Sequence, residues 1–579
     1  MTRPAPPRGP RLLAGWVETR QVADLAAHVD RHGPLPVLGA ALIGTVRAAG
    51  LLGRGGAWFP TGEKLSAVAR NGGRRRPVVV ANGAEGEPAS DKDKALLTVA
   101  PHLVLDGMVL AAMAVGADEA ILCVHRGSAL TGSVGAAITE RAGDPVAIRL
   151  VELPARYVAS EESALVNYLN TGEARPTETP PRPYERGVRG RPTLVDNVET
   201  LANVALIGRY GADWFRMVGT ATAPGTMLVT VGGAVVRPGV REIPLGTTVS
   251  AALGYQRQVV HSPAVMAGAP PQDRIDWNSG GPRGPGGEQP DSGGGSAGSA
   301  DALQGSGGQV AGSAGGASGN GNRVAALGKG SRMAEAVGVM PGNGDHAVGS
   351  GSALTGDGNR VGPLGNGGRM TGAVGAALAG GSRAALDDGS QVSGLVGAAP
   401  GSGSTAAEQI GAMFGYGVTE PVSAVLVGGF GGNWLPLPEV AELPLTPGAA
   451  AGGALGVGML LALPARACGL AETARILRYL AGESAMQCGP CMFGLASIVG
   501  DLEALTYGRP TVEQLRYRLG MVSGRGACAH PDGAVRLAAS ALTVFADDVW
   551  AHASGRPCAG ARMAPVIRVP ASGMGMGWR

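Results

Sequence analysis

The sequence predicts an α/β domain built on a mainly parallel sheet, then a small β-rich domain broken by a long insertion, then a helical bundle. Three observations carry this. Strand and helix patterns alternate over residues 40–215. From about Tyr255 to Gly403 the chain turns to Gly, Ser and Ala with almost no aromatics. Beyond residue 469, four amphipathic segments follow one another with short loops.

In chain order, "RPVVVANG" is a β-branched run that ends in glycine. "PHLVLDGMVLAAMAVG" has helical apolar spacing after a proline start, "EAILCVH" is a second strand, "TGSVGAAITERAG" a second helix and "VAIRLVELP" a third strand. Ligands of such sheets sit where the strands end and the loops begin. "TMLVTVGGAVVRPGVREIPLG" reads as two strands around a Gly-Gly turn, and "TTVSAALG" as a short helix with a threonine cap. The continuation of this domain resumes at "VSAVLVGGFGG", residues 422–432. Between them, 256–403 is expected to be a disordered insertion, because it offers little apolar surface to offset the entropy of ordering. It holds an imperfect repeat, "GNRVAALGKGSRMAEAVG" and "GNRVGPLGNGGRMTGAVG", and two copies are too few for a solenoid. In the last region "GLAETARILRYLAGESAM" places Leu470, Ala474, Leu477 and Ala481 on one face. "CMFGLASIVGDLEAL", "TVEQLRYRLGMVS" and "GAVRLAASALTVFADDVWAHA" complete the bundle. The resulting division is a 1–39 extension, an α/β domain over 40–220, a β-rich domain over 221–450, a bundle over 451–555 and a tail over 556–579.

Composition narrows the function. A net charge of +3 over 579 residues is too weak to argue for nucleic acid, and Arg74-Arg75-Arg76 reads as a solvated turn. The N-terminus has no apolar core of signal-peptide length, and charges or glycines interrupt the apolar windows at 103–124 and 448–464. A cytoplasmic location is expected, where structural disulfides are rare. The six cysteines are therefore candidates for metal or redox chemistry. Cys488 and Cys491 form a Cys-x-x-Cys pair in "ESAMQCGPC", either a redox dithiol or part of a metal site; Cys528 lies at another helix junction.

Four further motifs carry candidate chemistry. "GRGGAWFPTGEK" (Gly53–Lys64) is a glycine-rich loop that could close backbone N–H groups on an anion, although it lacks the Walker ending. "NGAEGEPASDKDK" follows a strand; Asn82 could bond a heterocycle edge or ribityl chain, Glu85 and Glu87 polar ligand groups, and its Asp/Lys run reads as a solvated helix start. "YVASEESALVNYLN" puts Glu161 and Glu162 at a helix start, which acids favour anyway. "RPTLVDNVETLANV" sets Asp196, Asn197 and Thr200 near another.

In this order the motifs resemble the NADH-binding flavoprotein subunit of respiratory complex I and the diaphorase subunits of related hydrogenases and formate dehydrogenases. That family reads G-R-G-G-A-G-F-P-T-G-x-K, N-x-D-E-G-E-P, G-E-E-T-A-L, P-T-x-x-N-N-V-E-T and E-S-C-G-x-C-x-P-C with a distant fourth cysteine. The resemblance covers about 40–250 and 420–550. It implies a flavin site of Gly53, Arg54, Gly55, Gly56, Lys64, Asn82, Glu85, Asn197 and Thr200, and a nicotinamide site that keeps Phe59 and Glu162. It also implies that the β-rich domain is a ubiquitin-like β-grasp, and that Cys488, Cys491 and Cys528 hold an iron–sulfur cluster of the 4Fe–4S kind. The chain departs from the family at Trp58 (Gly), Ala84 (Asp), Ser160 (Gly), Asp196 (Asn) and Ala485 (Cys). Thr179-Pro180-Pro181-Arg182 replaces K-P-P-F, and Leu65-Ser66-Ala67 replaces W-S-F. Candidate fourth cluster ligands are His530, Cys468 and Cys558.

The implied function is an electron relay in an NADH dehydrogenase subunit, from NADH through FMN and the cluster to a thioredoxin-like iron–sulfur subunit or a ferredoxin. The setting would be a respiratory complex, peripheral at the inner face of the membrane. A scaffold that has lost NADH binding and a cluster-free flavin diaphorase are the competing classes.

Overall fold

In a computed structural model of the protein, Val78–Asn82 (β1), Glu119–His125 (β2), Ile148–Leu153 (β3) and Thr193–Asn197 (β4) form a wholly parallel sheet in the order β3-β2-β1-β4. The structure describes residues 6–255 apart from Arg8 and Arg74, then 392–394, 417–448, 455–571 and 577–579. The central strand β1 and most of its neighbour β2 are apolar on both faces because helices cover both. Val79 and Ala81 pack with the Pro101–Val115 and Val198–Tyr210 helices, while Val78 and Val80 join Ile121, Leu153 and Leu165 on the opposite face. From β1 the chain steps outward to β2 and β3, then returns to put β4 on the other side of β1. The order therefore reverses between β1 and β4, and a crevice opens at their carboxyl ends. Asn82 and Asn197, register partners across that point, end the two strands.

The second sheet is mixed, in the order β7-β6-β5-β10-β8-β9. Thr226–Gly233 (β5) and Gly239–Pro244 (β6) are the antiparallel pair expected around the Gly-Gly turn. The helix Val249–Leu253 follows, with the Thr248 hydroxyl accepting from the Ala251 N–H at 3.2 Å. Val422–Val427 (β8), Asn433–Pro436 (β9) and Met459–Pro464 (β10) complete the sheet, β10 running parallel to β5. The insertion at 256–403 lies outside the described residues except Val392–Gly394 (β7), whose backbone pairs parallel with β6.

Helices Gly469–Gly482, Leu495–Thr506, Val512–Val522 and His530–Val544 form the expected bundle around Leu477, Leu480, Ile498, Leu502 and Leu537. The final helix read from the sequence is two helices, because the chain leaves helical geometry at Phe545 and restarts as Ala546–Ala553. The extension and tail are both built in. The N–H groups of Arg11, Leu12 and Leu13 donate to the buried Glu242 carboxylate at 2.9–3.0 Å. In the tail, Val566 N–H donates to Glu472, and the Trp578 carbonyl accepts from Ala174 N–H at 2.8 Å.

Among the described residues no single helix is long and apolar enough to cross a membrane. The apolar helices Lys92–Val99 and Pro101–Val115 meet at 96° and are packed within the α/β core.

Candidate flavin cleft and cysteine loop

The β1–β4 crevice is a cleft of about 80 Å³ lined by Arg54, Gly55, Asn82, Ala84, Glu85, Gly86, Glu87, Lys92, Asp93, Ser160, Asn197 and Val457. Four of the sequence motifs thus converge on one place. Asn82 donates from its side-chain amide to the Ser160 carbonyl at 2.8 Å and accepts from Ala84 N–H at 3.2 Å. A Cβ on Gly86 would stand 2.2 Å from Ser160 Oγ and 2.5 Å from the Tyr157 carbonyl, so the turn tolerates only glycine. Asn197 caps its helix by accepting from Glu199 N–H at 3.0 Å, and donates to Asp93 at 2.6 Å.

Lys92 and Asp93, expected as a solvated helix start, are buried in the wall of the cleft. Lys92 Nζ lies 2.8 Å from Asp93, 2.9 Å from Glu199 and 3.3 Å from Asn197 Oδ1. Burial would lower the pKa of this ammonium, but Asp93, Glu199 and Glu85 together raise it above its ordinary value. Their spacing gave no signal, since a charged run at a helix start looks alike wet or buried.

Glu85 accepts from the Ser90 hydroxyl, while its Oε2 has no protein partner. Burial, with Asp93 beside it, pushes its pKa up to about 8. In its protonated form this carboxyl can donate to a ligand. Burial lifts Glu87 to about 7, even though Phe430 N–H and Ala89 N–H donate to it.

The glycine-rich loop is closed by Gly53 N–H donating to the Phe59 carbonyl at 2.8 Å, and Gly56 takes a φ of 101°. Arg54 is buried; its N–H donates to Thr200 Oγ1 at 2.8 Å, and its guanidinium bonds the Leu52 and Thr226 carbonyls. That side chain therefore fastens the loop to β5. Trp58 stands where the family has glycine, and it holds the left-handed φ of 55° that glycine would adopt freely. Its indole N–H donates to the Gly456 carbonyl at 3.1 Å. Phe59 is exposed.

Lys64 turns to acids instead of an open anion site. Its Nζ is 2.9 Å from Glu162 and 3.9 Å from Asp196, and it donates to the Val195 carbonyl. Burial would lower its pKa, and the two carboxylates raise it. Asp196 is itself lifted to about 6 by burial, and its Oδ2 is unpaired.

The three cysteines expected at a cluster come together. Cys488 and Cys491 open one wide turn, Pro490–Gly494, where Met492 N–H donates to the Cys488 carbonyl at 2.9 Å. Cys491 is buried, and its thiol is pushed up to about 12 by burial, with Cys488 and Cys528 adding to the shift. Cys528 is raised by burial, then by the Glu161 carboxylate and Cys488. Among the described residues these three sulfurs do not meet single-ion spacing; a cluster of several irons holds its thiolates further apart. Ala485, buried, stands at the fourth cysteine's position, and Met486 after it, where the family motif has glycine, takes a left-handed φ of 54°. His530 bonds the Leu480 carbonyl through Nε2 at 2.8 Å and packs its ring on Tyr157, while its buried Nδ1 has no protein partner. Cys468 and Cys558 lie beside His552, at the opposite end of the Gly469–Gly482 helix from the cysteine loop.

Cleft and cysteines share one segment. Ser160 lines the cleft, and Glu161 beside it acts on Cys528. Tyr157 N–H and Arg156 both bond the buried Glu483 carboxylate at 3.0 Å, just ahead of the cysteine loop.

The α/β cleft and the cysteine-bearing bundle are the two parts of the chain that match known families. Residues 46–206 match the family described as the Nuo51 FMN-binding domain, and residues 471–552 match the NADH-ubiquinone oxidoreductase-F iron-sulfur binding region. Over these two regions the chain is similar to the NADH-quinone oxidoreductase F subunits. It is 38% identical over 227 residues to the alpha subunit of the NAD-reducing hydrogenase HoxS of Cupriavidus necator, covering 37% of this chain and 37% of that protein. It is 34% identical over 280 residues to the F-type subunit of the NADH-quinone oxidoreductase of Mycobacterium tuberculosis, covering 44% and 63%. The chain therefore spans less than two thirds of the length of these curated relatives. The crystal structure of an NAD+-reducing NiFe-hydrogenase in the H2-reduced state shares the fold, with a TM-score of 0.59 and 23% identity over 95% of this chain and 68% of that one.

Proposed function

We propose that the chain is an electron-transfer flavoprotein subunit that takes electrons from NADH and passes them through FMN and an iron–sulfur cluster to a partner protein. The observation that carries this is the shared segment Tyr157–Glu161, which borders the cleft on one side and the cysteines on the other. FMN, when bound, supplies the means to accept a hydride and release electrons singly. The unpaired Glu85 Oε2 and Asp196 Oδ2 are the kind of buried polar atoms a ligand would satisfy.

In this reading Gly53, Gly55 and Gly56 shape the flavin loop, with Arg54 and Thr200 anchoring it. Asn82, Glu85 and Asn197 bind polar flavin groups, and Lys64 supports the phosphate. Phe59, exposed, and Glu162 serve the nicotinamide side. Lys92, Asp93 and Glu199 hold the cleft walls rigid while excluding water. Cys488, Cys491 and Cys528 hold the cluster. The second sheet is read as the β-grasp domain, giving the three-part division expected over 40–220, 221–450 and 451–555. The partner is a thioredoxin-like iron–sulfur subunit or a ferredoxin. Exposed Met486, Met492 and Phe493 beside the cysteines offer it an apolar face. A cytoplasmic setting, peripheral to a membrane complex, fits this role.

The test is anaerobic purification from a cluster-competent host supplied with flavin, followed by a visible spectrum and addition of NADH. Flavin bands with cluster absorbance, both bleaching with NADH, are expected. Protein that carries neither group, and accepts neither on reconstitution, would leave the scaffold reading in its place. Flavin without iron would reduce it to a diaphorase.

A further inference from the structure

The far end of the bundle holds a second set of sulfur and nitrogen donors that the electron relay does not use. Cys468 precedes the Gly469–Gly482 helix, His552 lies in the last turn of Ala546–Ala553, and Cys558 begins the tail. Their three donor atoms all lie within 4.8 Å of one another. His552 Nε2 is 3.4 Å from Cys558 Sγ and 3.8 Å from Cys468 Sγ. The other ring nitrogen, Nδ1, is 3.3 Å from the Leu505 carbonyl. A carbonyl can only accept, so the proton belongs on Nδ1, and the Nε2 lone pair faces the two sulfurs and Cys558 N–H. A backbone carbonyl holding the remote nitrogen is how metal-binding histidines are usually oriented. Cys468 and His552 are fully buried, and Cys558 is half-buried. Asp548, one turn before His552 on the same helix, interacts with the Cys558 thiol and lies within electrostatic reach of His552.

This set stands apart from the cluster cysteines. The 14-residue helix Gly469–Gly482 runs from Cys468 toward the cysteine loop, a rise of about 20 Å. The two sites also differ in kind. Metal–sulfur and metal–nitrogen bonds of about 2.0–2.3 Å put the ligands of one tetrahedral ion roughly 3.5–4 Å apart, which is the spacing seen here. Among the described residues this is the one group of three or more His, Cys, Asp or Glu with that spacing.

We propose that Cys468, His552 and Cys558 bind a single zinc-type divalent ion, its fourth position taken by water or by the Asp548 carboxylate beside Cys558, and that the ion clamps the tail onto the bundle. The tail is already shaped for this. A Cβ on Gly560 would stand 2.6 Å from both the Arg466 carbonyl and Cys468 N, so the segment after Cys558 lies directly against the strand-to-helix turn that carries Cys468. Beyond it, Ile567 is buried and Trp578 lies under the Arg156 guanidinium at 4.3 Å. One ion would tie together three separate segments of the chain.

The test uses the full-length protein, purified without chelator and with reductant, and analysed for zinc and iron separately. An equimolar zinc content is expected, and Cys488→Ser should lose iron while keeping zinc. After zinc removal, cobalt(II) titration should give a near-ultraviolet sulfur-to-cobalt band and intense visible bands. Cys558→Ser and His552→Gln should lose them, and the tail beyond Cys558 should become more sensitive to protease when the metal is removed. Cys558 is half-buried at the start of the tail, so its serine variant should fold. Wild-type protein that binds neither zinc nor cobalt would overturn the proposal. So would cobalt bands that survive the double change of Cys468 and Cys558 to serine, or a Cys468–Cys558 disulfide in the reduced preparation.

Discussion

Glu85 and Glu87 show how a carboxyl can be retained in a cleft wall at a cost to stability. Burial leads in both shifts, to about 8 and about 7. In the unfolded chain both titrate at about 4.3. Between those values the folded state binds more protons than the unfolded one, so stability is greatest on the acid side and falls as pH rises. The protein should therefore be easier to denature at about pH 8 than at about pH 5.5. In the Glu85→Gln, Glu87→Gln double variant most of that slope should vanish; a wild type equally stable across the window would refute the assignment. Asp196 makes the complementary case. It sits 3.9 Å from Lys64 Nζ, and its carboxyl is lifted to about 6 by burial. Asp196→Asn should free Lys64 and remove a negative charge from the site. FMN affinity, followed by flavin fluorescence on the apoprotein, should rise about 3–10-fold. An unchanged affinity would mean that Lys64 does not serve the phosphate.

At the level of elements, the cysteine loop places a methionine where its backbone suits glycine. Met486 is exposed and takes a left-handed φ of 54° that costs a non-glycine residue about 1 kcal/mol. Met486→Gly should raise unfolding stability by about 0.5–1 kcal/mol, measured by chemical denaturation. The same loop holds buried Ala485 at the missing ligand's position. Ala485→Cys should raise iron from roughly three to roughly four atoms per chain. If iron does not increase, the loop does not direct this position at the cluster.

For the whole molecule, the excursion between β6 and β8 matters most. A Cβ on Gly417 would lie 3.8 Å from the Gly254 carbonyl, and Val236 N–H donates to the Gly417 carbonyl at 2.8 Å. The chain thus re-enters the described fold almost where it leaves. Loop-closure entropy changes only slowly with length. Replacing residues 256–416 by a short Gly/Ser linker should leave the melting temperature within a few degrees of the original. A large drop would show that β7 or its surroundings contribute to the core.

The resemblance of four motifs to a known family, and no local rule, put Gly55, Asn82, Glu85 and Asn197 at one site; local pattern was enough to read the strands β1, β2, β3, β5, β6 and β8 and the bundle helices. Each of these elements rests on a short-range rule: β-branched runs or helical spacing. The sequence did not disclose that Lys92 and Asp93 are buried, that Lys64 pairs with Asp196, or that β10 runs beside β5 across more than two hundred residues of chain. Nor did it separate Cys468 and Cys558 from the other cysteines. Periodicity records that a side chain is buried or exposed. It carries no trace of which distant group that side chain meets, and for charges and thiols the distant partner sets the chemistry. Cys468, His552 and Cys558 come from three separate segments, and they meet because helix packing closes one end of the bundle.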